Sequence, residues 1–164
     1  MRENDFLQER LDVLLKNNFA DVERPNEIKI AFGRRAKRRF GSIKMDRPTL
    51  LKKNPASIIT INGLFRDEKI PAQIIEATIA HELCHYAHGF SSPLPKKYEK
   101  PHQGGVIKRE MKKRDLVFLY DYEQLWTKQN WVKILGESFP QTRRVRRRKQ
   151  PKTLSQLLAQ LLKP

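Results

Sequence analysis

Two histidines four residues apart, with a glutamate beside the first, stand at His81-Glu82-Leu83-Cys84-His85. On a helix, residues at this spacing share a face. His81 and His85 can therefore aim both imidazoles at one ion, and zinc takes such nitrogens at about 2.0–2.1 Å. Glu82 lies about 100° further round the helix. It is poorly placed to join them as a ligand and well placed to reach a metal-bound water. Zinc lowers the pKa of that water toward about 7. Glu82 would take its proton during attack on a carbonyl and pass it to the leaving amine.

The motif lies in an apolar run that includes Ile74, Ile75, Ala77, Ile79, Ala80, Leu83, Cys84 and Ala87. Burying two histidines and a glutamate there costs free energy unless they are satisfied, and one metal satisfies them together. The bland reading is a pair of hydrogen-bonded core histidines with a buried glutamate. A catalytic zinc needs a third protein ligand and an open position. The two remaining histidines are His88 and His102. His88 shares a face with His81, but seven residues of straight helix rise about 10.5 Å, too far for one ion. His102 follows a loop containing Pro93, Pro95 and Pro101, which can fold back over the metal. The expected ligands are His81, His85 and His102, with Glu110 the next choice for the third place. His88 then flanks the site, and Cys84 is a small core residue beside it. Tyr86 and Tyr98 are candidates for stabilising an oxyanion, and the pattern singles out neither.

These side chains need elements to hold them. Asp5 to Phe19 reads as an amphipathic helix with Phe6, Leu7, Leu11, Leu14 and Leu15 at near-helical spacing, capped by Asp5 with Gln8 three residues on. Strands are expected at Ile28–Phe32, at Arg39–Met45 and at Ser57–Asn62, the last from its β-branched run. Pro48 to Pro55 reads as a loop. Pro71 opens the motif helix and Gly89 stops it. A further helix is expected over Gly104–Arg114, an extended piece near Leu116–Tyr120, and a helix through Trp126 and Trp131. Leu154 to Leu162 has the leucine spacing of a short amphipathic helix. The expected fold class is α+β, a small mixed or antiparallel sheet of about three strands with flanking helices. The expected division is a catalytic domain over 1–139 and a basic arm with a short helix over 140–164.

Composition bounds the surroundings. The chain has 164 residues and a net charge of +16. A surplus of that size fits a polyanionic partner, nucleic acid first. The surplus concentrates in Arg34–Arg39 and in Arg143–Lys152, where phosphate contact without base reading is expected. The single cysteine, Cys84, leaves no intramolecular disulfide and no Cys-based zinc ribbon. No signal peptide and no membrane span is legible. The expected location is cytoplasmic, with DNA or nucleoid association.

The segment Glu76-Ala77-Thr78-Ile79-Ala80-His81-Glu82-Leu83-Cys84-His85, followed by Pro101-His102-Gln103-Gly104-Gly105, resembles the SprT-like (Spartan-type) zinc metallopeptidases. The resemblance covers about residues 5–115. It implies a zincin-like fold, a zinc ion on His81, His85 and His102, Glu82 as the base, and proteolysis of proteins on or crosslinked to DNA. Gln103 stands where the family usually has Gly, and Val106 where it usually has an aromatic residue. The expected activity is thus a zinc-dependent metalloendopeptidase acting on protein or peptide. The alternatives are a non-catalytic zinc-containing nucleic-acid-binding module and a zinc hydrolase of non-peptide substrates.

Overall fold

The computed structural model describes residues 1–47 and 54–139. The expected loop over Pro48–Pro55 falls largely outside them. So do the basic arm from Arg143 to Lys152 and the Leu154–Leu162 helix.

The described residues form an α+β fold with a mixed three-stranded sheet. Helix α1 spans Asn4–Asn17, strands β1, β2 and β3 span Ile28–Phe32, Gly41–Met45 and Ser57–Ile61, and helices α2, α3 and α4 span Ala72–Ala87, Val106–Lys113 and Val117–Ser138. The sheet order is β1-β3-β2, with β1 parallel and β2 antiparallel to β3. In the central strand β3, Ser57, Ile59 and Ile61 are buried and the residues between them only half-buried. This alternation sends one face of the sheet into the core. Helix α2 is buried along most of its length and packs against β2, β3, α1, α3 and α4. It forms because Ile74, Ile75, Ile79 and Leu83 have core on nearly every side, and burial outweighs the modest helix propensity of isoleucine.

The start of α1 differs from expectation. The helix begins at Asn4, Glu3 occupies the N-cap without a side-chain bond, and Gln8 donates to Asp12 at 2.9 Å rather than closing a capping box. Asn4 Oδ1 instead accepts the backbone N–H of Phe32 at 3.0 Å. An end-of-strand donor thus engages a side chain at the head of the helix and ties α1 to β1.

The extended piece expected near Leu116–Tyr120 is also corrected, because Val117–Tyr120 is the first turn of α4. Asp115 takes a left-handed conformation at φ 57°. Its N–H bonds the Lys112 carbonyl and the Leu116 N–H bonds that of Met111, a Schellman closure of α3. The chain restarts at once as helix. Leu116, Leu119, Glu123 and Trp131 are buried, a spacing of three, four and eight that belongs to one helical face. Helix α3 begins at Val106 rather than Gly104, because Gly104 and Gly105 are left-handed at φ 54° and 72°.

No helix among the described residues is long and apolar enough to cross a membrane.

Candidate metal centre

His81, Glu82 and His85 all lie on α2. The helix ends in a second Schellman closure. Gly89, at φ 79°, donates to the Tyr86 carbonyl at 3.0 Å, and Phe90 donates to that of His85 at 2.9 Å. A side chain at Gly89 would also meet the Pro95 carbonyl. This turn sends the chain through the proline-containing loop. Lys97 N bonds the His88 carbonyl at 3.1 Å, and the loop returns to place His102 beside the α2 histidines.

The potential ligand atoms of His81, His85 and His102 all lie within 4.8 Å of one another. The Nε2 atoms of His81 and His102 are 3.1 Å apart. Two nitrogens bound tetrahedrally to one zinc-sized ion would sit about 3.3 Å apart. Burial, reinforced by His102, pushes the His81 pKa down to about 4. Burial, then His81, then His102 and His88, push His85 down to about 3. Both rings are therefore neutral at pH 7, the form in which imidazole ligates metals. His85 Nδ1 is buried without a hydrogen-bond partner among the described residues. Spacing and protonation thus fit one metal ion.

The other two ligand candidates face each other, without a well-formed hydrogen bond to either ring nitrogen of His88 among the described residues. His88 is fully buried, and its Nε2 lies 3.3 Å from Glu110 Oε2. Glu110 Oε1 takes Arg114 Nε at 2.8 Å, and Arg114 reaches Asp21 at 2.6 Å. The His88 contact, helped by Arg114, holds the Glu110 carboxyl down near a pKa of about 2. This chain of contacts clamps α3 to the end of α2 and to the turn after α1. Cys84 is buried in the core, and burial pushes its thiol pKa up.

Glu82 is 6% exposed and lines the cleft that also holds the three histidines, a space of about 1030 Å³. Burial raises its pKa to about 7, against a backbone hydrogen bond from Ile43 and the charge of Arg39, with Glu123 adding to the rise. The Ile43 contact comes from the edge strand β2, which passes very close to α2. A Cβ on Gly41 would fall 2.6 Å from Thr78 Cγ2 and 2.9 Å from Glu82 Oε1. Glycine at 41 is what lets the strand edge reach the glutamate.

Sequence reasoning missed two parts of this cleft. The first is the way its basic rim is held. Asn62 Nδ2 donates to the carbonyls of Ala36 and Arg39, both at 2.8 Å, and Trp131 Nε1 donates to that of Lys37 at 3.1 Å. These bonds fix the 34–40 segment so that Lys37, Arg38 and Arg39 line the cleft mouth, with Lys96 from the α2–α3 loop. The second is Glu123, 8% exposed on α4 and lining the same cleft. A carboxylate four residues beyond Leu119 on an apolar stripe is a legible signal only once the segment is read as helix.

Burial raises the Glu123 pKa to about 7, with the Thr78 hydroxyl opposing the rise. Raising a carboxyl above its unfolded value means that the unfolded chain loses its proton first. Stability therefore falls as pH climbs from about 4.5 to about 7. Metal-free Glu123→Gln should gain on the metal-free parent across that window, by roughly 2–3 kcal/mol between pH 5 and pH 8. His81, His85 and Glu82 titrate in both proteins, so their contributions largely cancel in the difference. Urea unfolding of the pair at the two pH values measures it, and a difference that stays flat with pH contradicts the raised pKa.

No protein-family model, curated protein or solved structure matches this chain.

Proposed function

We propose that the chain is a zinc-dependent metalloendopeptidase of the SprT-like kind, with a zincin-like fold, in which His81, His85 and His102 hold the metal and Glu82 is the catalytic base. The observation that carries this reading is a buried carboxyl, Glu82, facing the same open cleft as three clustered histidines. A purely structural metal site is usually closed by four protein ligands and has no use for such a group.

Bound there, zinc would supply Lewis acidity, lowering the pKa of a water and polarising a carbonyl. Glu82 does the proton work. Buried beside the histidine cluster, with its pKa raised in the metal-free site, it would accept a proton from the attacking water and return it to the departing amine. The Ile43 N–H steadies the carboxylate, and the absence of a side chain at Gly41 keeps that contact close. Phe40, Phe90 and Trp131 give the cleft wall apolar surface beside the reacting groups.

Exposed Arg34, Arg35, Lys37, Arg38 and Arg39 support the nucleic-acid side of the proposal, because they put phosphate-binding charge next to the cleft. Substrates would then be proteins held on or crosslinked to DNA, met in the cytoplasm or on the nucleoid. Zinc-loaded protein should cut a basic protein bound to DNA, a chelator should stop it, and added zinc should restore it. Cleavage should fall steeply as salt is raised, because each phosphate contact releases counterions. Cleavage that persists after metal removal, confirmed by mass spectrometry, would overturn the metallopeptidase reading.

A further inference from the structure

Glu123 lacks a committed hydrogen-bond donor. Its side chain contacts Thr78 Oγ1 at 3.3 Å. That hydroxyl has one proton, and it also lies 2.8 Å from the Ile74 carbonyl. The shorter contact takes the proton, leaving Glu123 at best a shared one. No cation among the described residues pairs with Glu123. One helical turn further, Thr127 Oγ1 is buried with no partner and lines the same cleft. Residues four apart on a helix share a face, so α4 turns a weakly partnered carboxyl and an unpartnered hydroxyl toward one place. Leaving such groups unpaired is costly, and native proteins rarely do so without reason.

The walls around them are aromatic. Phe40 and Trp131 pack edge to face with centroids 4.6 Å apart, and Tyr120 lines the cleft from α4. Aromatic surface beside a buried carboxyl and a hydroxyl suits a long aliphatic stem with a cationic head. It suits neither a short side chain nor an acid.

We propose that Glu123 and Thr127 form a substrate subsite for a lysine or arginine side chain of the polypeptide lying in the cleft. The proposal deepens the peptidase reading and rests on it for the nature of the ligand. Glu123 supplies the charge and Thr127 Oγ1 a second acceptor. Trp131 and Phe40 flank the stem. The cation pairs with a carboxylate that burial otherwise disfavours, so an uncharged side chain of the same length gains far less.

Two measurements on the full chain test this. In the first, zinc-loaded parent and Glu123→Gln are given a peptide mixture with all residues equally represented around the cut, and cleaved positions are read by mass spectrometry. The parent should enrich lysine or arginine at one position relative to norleucine, and Glu123→Gln should reduce that enrichment about tenfold. No enrichment in the parent, or the same enrichment in the variant, overturns the subsite. In the second, a fluorescein-labelled Gly-Ala hexapeptide with a central lysine or norleucine is bound to Glu82→Gln and to Glu82→Gln/Glu123→Gln. Lysine-selective binding lost with Glu123 supports the subsite even if no peptide is cut, an outcome that would sink the peptidase reading alone. Equal binding of the two peptides to Glu82→Gln overturns the subsite. Glutamine at 123 removes a desolvated charge without changing shape, and a thermal melt checks that the variant is folded.

Discussion

Glu82→Gln should leave the metal content at one ion per chain and the melting curve intact while cutting turnover by about 10²–10⁴-fold, the range that a positioned general base contributes. The substitution keeps the shape of the side chain and removes its ability to take a proton. Glu82 is buried and its pKa is raised, so losing the ionisable group should not weaken the fold. The readout is kcat on a defined protein substrate, with metal counted by mass spectrometry in the same samples. Full activity in this variant would remove Glu82 from the proton-transfer role. Loss of metal together with activity would mean that Glu82 holds the ion rather than the proton.

The second large effect separates the histidines. His81→Ala, His85→Ala and His102→Ala should each weaken metal binding by more than about 100-fold, beyond what loss of a ligand's supporting partner costs. His88→Ala should keep the ion. Its ring is fully buried against Glu110, so its loss should appear as instability of roughly 2–4 kcal/mol. Competition with a chelating dye measures the first quantity and urea unfolding of the metal-free proteins the second. If His88→Ala releases the metal and His102→Ala does not, the ligand set is wrong.

The parts of this site that were legible in the sequence are the parts that local periodicity determines. The i, i+4 histidines and the apolar run around them place α2, and Gly89 marks its end. The rise of a straight helix puts His88 out of reach of an ion that His81 would hold, and His88 faces Glu110 instead. Ile28–Phe32 and Ser57–Ile61 carried their strand signal in β-branched and alternating residues. What stayed hidden depends on partners distant in sequence. Nothing around Gly41 announces that a glutamate on another element lies against it. Asn4 was engaged by Phe32, so the cap expected of Asp5 did not form. Val117–Tyr120 has strand-forming residue types, and its helical state follows from the left-handed turn at Asp115 and from the burial of Leu119, Glu123 and Trp131 on one helical face. That misreading concealed Glu123, because the face it occupies exists only in the helix.

The three histidines do not belong to equally rigid parts of the molecule. His81 and His85 ride on a helix enclosed by core, whereas His102 is exposed, just before two left-handed glycines. A metal held by all three therefore closes a covalent ring of chain, running from His85 out through the prolines and back. Part of the intrinsic binding energy goes into restricting that ring, as with any cross-link between a fixed point and a looser one. The affinity of a metal bound there would accordingly gauge how well the 90–105 segment is ordered. Substitutions there that never touch the ion would still change its dissociation constant. Anything that settles on the segment from outside, a substrate included, would tighten the metal in proportion, and the metal would by the same coupling tighten its hold on that partner.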